Sequence, residues 1–169
     1  MVDVGKWGKL DKIHLMQNNI TSYNENALFT HSNIGYLDVS DNRNMKLPTA
    51  ETKITMPSLM MLALANNSIN IDGSRFNNNT YPNLVDLYVN GNHLINFPDK
   101  SLQDTLQYLG IARCGLNMLP SYFGDFDQLK YLDARDNNIS FVKDEIKILI
   151  SKNNVESYFS GNIVCRTDK

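Results

Sequence analysis

Two runs of the form Asp-x-x-Asp-Asn stand out as chemistry-bearing: Asp38-Val39-Ser40-Asp41-Asn42 and Asp133-Ala134-Arg135-Asp136-Asn137. Paired carboxylates perform general acid–base work when both reach one bond, and a cation or a basic partner residue is their other use. The remaining reactive residues are sparse. His14, His31 and His93 are spread along the chain, whereas a metal site needs convergent ligands. Cys114 and Cys165 are too few for a zinc cluster or a disulfide scaffold. None of the nine glycines builds a phosphate-cradling loop. This inventory predicts no catalytic group, no metal and no cofactor.

The element that must position these residues is a repeat. Leu84–Pro98 reads L-x-x-L-x-L-x-x-N-x-L-x-x-F-P, with Leu84, Leu87, Val89, Asn92, Leu94 and Phe97 at the marked places. No helix has this period, whereas Leu87 and Val89 alternate as in a strand and Asn-Gly-Asn turns the chain. Copies begin at residues 10, 34, 59, 84, 106 and 129, spaced by 24, 25, 25, 22 and 23 residues. A degraded seventh copy holds Phe159, Asn162 and Val164, with Ser157 where leucine is expected. The two carboxylate runs lie four copies apart, roughly 19 Å at strand spacing, so they cannot flank one bond.

This pattern resembles the leucine-rich repeat superfamily over residues 10 to 164. The resemblance implies an α/β solenoid, with parallel strands on a concave face and loops and short helical turns on the convex face. It also implies a ladder at Asn18, Asn42, Asn67, Asn92, Cys114, Asn137 and Asn162, whose side chains satisfy turn backbone in adjacent copies. The family uses asparagine or cysteine there, so Cys114 is expected to be structural rather than reactive.

The candidate binding residues follow from strand alternation. Three positions per copy, flanking the second and third leucines, should point away from the core. They carry Tyr36, Asp38, Met61, Asp86, Tyr88, Tyr108, Tyr131, Asp133 and Arg135 among others, with Arg113 at the adjoining turn. Tyr108 and Tyr131 share a register and Tyr88 lies diagonal to Tyr108. They should form one cluster, with Gly110 and Ala112 leaving a shallow hollow and Asp86, Arg113, Asp133 and Arg135 at its rim. Aromatic residues and arginine on a rigid surface are the composition of a protein-recognition hot spot. Met60 and Met61, beside Ala63 and Ala65, suggest a second, flatter apolar patch.

The expected organisation is a partial amino-terminal cover over residues 1–9, six repeats over 10–153, and a degraded repeat with a truncated carboxy-terminal cap over 154–169. Trp7 should lie over the first copy. Phe29, Phe76, Leu102, Phe123 and Phe126 should form a convex-side spine, and Val142–Ser151 a short packed helix with Val142, Ile146, Leu149 and Ile150 on one face. The ending GNIVCRTDK resembles the entry to the cap of extracellular family members, which would pair Cys165 with a cysteine beyond Lys169. A free thiol in a reducing compartment is the alternative. Asn-x-Ser/Thr acceptors at Asn19, Asn66, Asn78 and Asn138 add little, since roughly three arise by chance in so asparagine-rich a chain.

A net charge of -2 argues against a nucleic-acid partner. The longest apolar run, Leu59–Ala65, is too short to span a bilayer. No leader precedes the first residues, so the chain is read either as cytosolic or as secreted with its leader removed. The reading that results is a non-enzymatic module that binds a protein or peptide, extracellular or at the cell surface. An intracellular scaffold, or the non-catalytic region of a larger enzyme such as a receptor kinase, are the alternatives.

Overall fold

A computed structural model describes residues 10–23, 28–29, 32–43, 45–48 and 53–166. The expected cover over residues 1–9, Trp7 and His31 lie outside the described residues.

Each sequence copy contributes one three-residue strand: β1 Lys12–His14, β2 Tyr36–Asp38, β3 Met61–Ala63, β5 Asp86–Tyr88, β7 Tyr108–Gly110, β8 Tyr131–Asp133 and β9 Glu156–Tyr158. They form one seven-stranded sheet in chain order, parallel throughout. Chain order survives because each copy returns to the same edge, so a strand always docks on the copy before it. The register is constant: Tyr36 faces Met61, Asp86 faces Tyr108 and Tyr108 faces Tyr131. The middle residues Ile13, Leu37, Leu62, Leu87, Leu109 and Leu132 are buried. Ser157 sits opposite Leu132 in β9, where the apolar row ends.

Two further strands, β4 Asn70–Asp72 and β6 His93–Asn96, pair parallel beside the turns, with a register shift between Ile71 and Asp72. The repeat period alone does not announce this second sheet. Residues after the ladder position in these two copies stay extended long enough to pair.

Behind the main sheet, the leucines of the strands meet a buried row of Phe29, Phe76, Leu102, Phe123 and Phe126. Phe97 and Phe123 meet edge to face with centroids 5.0 Å apart, and Phe123 lies 4.8 Å from Phe126. Helix α1, Asp144–Lys152, buries Ile146 and Leu149 and leaves Ile148 exposed. Asp144 and Glu145 sit in its first turn and Lys152 in its last, matching the helix dipole at both ends. The helix packs against the turn at Ser121–Asp125, where a Cβ on Gly124 would stand 2.7 Å from Glu145 Cβ.

The turn after each strand has one backbone rule. Gln17, Asp41, Asn66, Gly91, Arg113, Asp136 and Gly161 all have φ between 54° and 80°. Each immediately precedes the ladder residue of its copy. The left-handed residue bends the chain so that the next side chain points inward.

That side chain is an interlayer connector. Asn67 Nδ2 donates to Leu64 O in its own copy at 2.8 Å and to Val39 O in the preceding copy at 3.2 Å. Asn67 Oδ1 accepts from Asn42 N at 2.6 Å. Asn92 bonds Leu64 O, Val89 O, Asn67 N and Ile69 N in the same way. Asn162 bonds Ala134 O, Phe159 O and Ile139 N. Asn42, Asn67, Asn92, Asn137 and Asn162 are buried. Asn18, in the first copy, is exposed and among the described residues reaches only Leu15 O and Met16 O of its own turn.

Candidate functional site

The open face of the main sheet carries two rows of side chains. One row holds Lys12, Tyr36, Met61, Asp86, Tyr108, Tyr131 and Glu156; the other holds His14, Asp38, Ala63, Tyr88, Gly110, Asp133 and Tyr158. Strand alternation places both rows opposite the buried leucines.

Three tyrosines form a continuous run. Tyr108 and Tyr131 have ring centroids 6.3 Å apart, and Tyr131 and Tyr158 5.8 Å. These separations lie within the range of tilted aromatic pairs. Tyr158 is the member that reading the leucines does not reveal. The signal was present, because Ser157 marks the core position and so points residues 156 and 158 outward. The Tyr158 hydroxyl donates to Glu156 Oε1.

A charged fork closes this end. Arg135 Nε donates to Asp133 Oδ1 at 2.8 Å and Arg135 Nη2 to Asp133 Oδ2 at 2.8 Å. The guanidinium carbon lies 5.5 Å from the Tyr158 ring centroid. Hydrogen bonds from Arg135 hold the Asp133 carboxyl below its usual range, outweighing the opposing effect of burial.

Tyr88 and Gly110 meet differently from the expectation. A Cβ on Gly110 would stand 2.6 Å from Asn90 Nδ2 and 2.9 Å from Tyr88 Cδ1. Asn90 Oδ1 also accepts from Ala112 N at 2.7 Å. The expected hollow over Gly110 and Ala112 is therefore filled by Asn90 and by the edge of Tyr88, and both small residues are buried. Tyr88 makes no ring-to-ring contact among the described residues, so it borders the run rather than joining it. Burial, then the nearby Asp86 carboxylate, pushes the Tyr88 hydroxyl upward.

Asp86 lies between Met61 and Tyr108 in register. It accepts no hydrogen bond from any described residue, and its Oδ1 is covered. Burial raises its carboxyl above the usual range.

The other candidates fall apart from this centre. Tyr36 is three strands from Tyr108 and lies under Lys12 Nζ, 4.7 Å from the ring centroid. Asp38 Oδ1 accepts from Ser40 N at 2.9 Å, and Asp133 Oδ1 accepts from Arg135 N at 3.2 Å. The first aspartate of each Asp-x-x-Asp-Asn run thus caps its own turn, and the second, Asp41 or Asp136, occupies the left-handed position. Arg113 is exposed at the same turn position. Met60 is exposed at the strand entry beside Ser58, Asn83 and Val85, away from Met61, so the two methionines do not make one patch.

Cys114 Sγ donates to Val89 O at 3.3 Å, and burial pushes its thiol up to about 11. Cys165 is an exposed free thiol directed at Phe159 O. Among the described residues, no group of three histidine, cysteine or acidic side chains is arranged to hold a metal ion. No helix of the described residues is long and apolar enough to cross a membrane.

No family model matches the sequence. The chain is similar to Toll-like receptor 2 of Boselaphus tragocamelus, with 29% identity over 154 residues. The match covers 78% of this chain and 19% of that receptor, so the chain spans about a fifth of its relative's length. A face of stacked tyrosines on parallel strands thus stands in a chain that resembles, over most of its own length, one part of a much longer receptor.

Proposed function

We propose that this chain is a non-enzymatic recognition module of the leucine-rich repeat kind. It is a solenoid whose open sheet face is concave and binds a protein or peptide. The observation that carries this reading is the Tyr108–Tyr131–Tyr158 run, closed by the Asp133–Arg135 fork. Core packing does not require tyrosine at these positions, and rigid exposed aromatics beside arginine supply binding energy at small entropic cost. The likeness to a Toll-like receptor supports a place within a larger receptor-like protein at the cell surface.

The test is selection of a phage-displayed random peptide library on the full chain, followed by measurement against single variants. Tyr88→Ala, Tyr108→Ala, Tyr131→Ala and Tyr158→Ala should each weaken the selected peptides by about 1 kcal/mol or more. Peptides that bind all four variants as well as the parent, with the fold intact, overturn the reading.

An intracellular scaffold of the same architecture is the second reading, in which Cys165 would stand as a free thiol in a reducing compartment. Glycan occupancy at Asn19, Asn66, Asn78 and Asn138 in protein from its native source separates the two compartments.

A further inference from the structure

Asp86 is the unusual group on the open face. Its Oδ1 is one of two buried side-chain oxygens or nitrogens without a hydrogen-bond partner among the described residues, and the other, Gln103 Oε1, belongs to a neutral amide. An ionised carboxylate held half out of water without a partner opposes folding. Among the described residues no cation is paired with it: Arg135 is held by Asp133, Lys12 lies over Tyr36 three strands away, and Arg113 is exposed at its turn. In register, Asp86 is flanked by Met61 and Tyr108, and Tyr88 follows two residues along the strand. None of these can donate a charged hydrogen bond.

The same face shows what such a setting accepts. At the far end of the tyrosine run, Arg135 forks onto Asp133 and lies over Tyr158. Guanidinium suits both contacts at once, because it is planar, offers paired donors and stacks on aromatic rings. Asp86 beside Tyr88 and Tyr108 offers the carboxylate and the rings but no guanidinium of its own. The terminal torsion of an aspartate is broad, so a modest rotation presents both oxygens to an incoming fork.

We infer that Asp86, with Tyr88 and Tyr108, is the receiving site for an arginine side chain of the bound protein or peptide. This inference rests on the proposed recognition function and specifies its partner: a segment that presents an arginine to the middle of the sheet.

The peptide library selected on the full chain tests it. Selected peptides should be enriched in arginine, and replacing that arginine with norleucine should weaken binding about tenfold, as expected for a lost charged hydrogen bond. Asp86→Asn keeps the shape and removes the charge. It should weaken arginine peptides by a similar factor and leave their norleucine analogues unchanged. Thermal melting of Asp86→Asn confirms that the variant folds. Peptides that lose affinity in Tyr108→Ala but bind Asp86→Asn normally overturn this inference and leave the recognition function standing. Peptides indifferent to both substitutions, or a library that yields no binder, overturn both.

Discussion

Asn137 Oδ1 accepts the backbone N–H of Cys114 at 2.9 Å and that of Leu116 at 3.0 Å. Its Nδ2 donates to Ile111 O and Ala134 O. One side chain thus serves two neighbouring copies. Cys114 cannot do the same for the copy before it. Its thiol reaches Val89 O but has no carboxamide oxygen to offer Asn92. The interlayer chain of amides is therefore interrupted once, between β5 and β8.

Asn137→Ala leaves Ile111 O, Cys114 N and Leu116 N without partners in the interior, whereas Ala134 O keeps its bond from Asn162 Nδ2. Each unsatisfied group costs about 1–3 kcal/mol, so the variant should lose several kcal/mol. Urea denaturation measures this, and Asn18→Ala is the control. Asn18 is exposed and bonds only its own turn, so it should cost less than about 1 kcal/mol.

Cys114→Asn should repair the interruption and raise stability by about 1 kcal/mol. The thiols themselves should differ in reactivity. Burial and a value near 11 keep Cys114 protonated, whereas Cys165 is exposed. A disulfide reagent at neutral pH should titrate Cys165 at once and Cys114 only after unfolding. Rapid labelling of Cys114 in the folded protein would contradict the buried placement.

Asp133 and Asp86, both on the open face, should respond to pH with opposite sign. Asp133 is held below its usual range by Arg135, so its contribution to stability is present above the ordinary carboxylate value. That contribution is lost as pH falls through the lower folded value. Asp86 is raised by burial, so its ionisation destabilises the fold. The relative stability present while it is protonated is lost as pH rises through the raised folded value. Asp133→Asn should therefore be less stable than the parent at neutral pH. Asp86→Asn should be more stable there, and both differences should shrink in acid. Chemical denaturation at several pH values reads all four.

Gly110→Ala should reshape the open face while preserving the sheet. The added methyl meets Asn90 and the Tyr88 edge, both side chains that can move, rather than backbone. The Asn90–Ala112 hydrogen bond is the main loss, so the cost should be about 1 kcal/mol. Displacement of Tyr88 should appear as altered ring resonances in NMR spectra. An unchanged Tyr88 signal would contradict its placement against Gly110.

The strands were legible because their buried residues recur at fixed intervals, and Leu37, Leu62, Leu87 and Leu109 lie in the register that spacing predicts. The Tyr108–Tyr131 pair follows from the same arithmetic. Tyr158 was not found, because outward positions were assigned only in the six copies with a leucine core, although Ser157 marks the same position in the seventh. The filled hollow was not legible either. Strand alternation places Gly110 and Asn90 on the face, but only side-chain conformation shows Asn90 reaching across to Ala112 N. The β4–β6 pair depends on how long the chain stays extended past the turn, and no periodic residue records that.

That small second sheet has a mechanical meaning. Every layer of the molecule is joined to the next along the main sheet, but β4 and β6 add a second seam on the flank of two adjacent layers. Layers fastened along one line can hinge about it, whereas layers fastened along two lines resist. The stretch from Asn70 to Asn96 is thus a splint across these two layers.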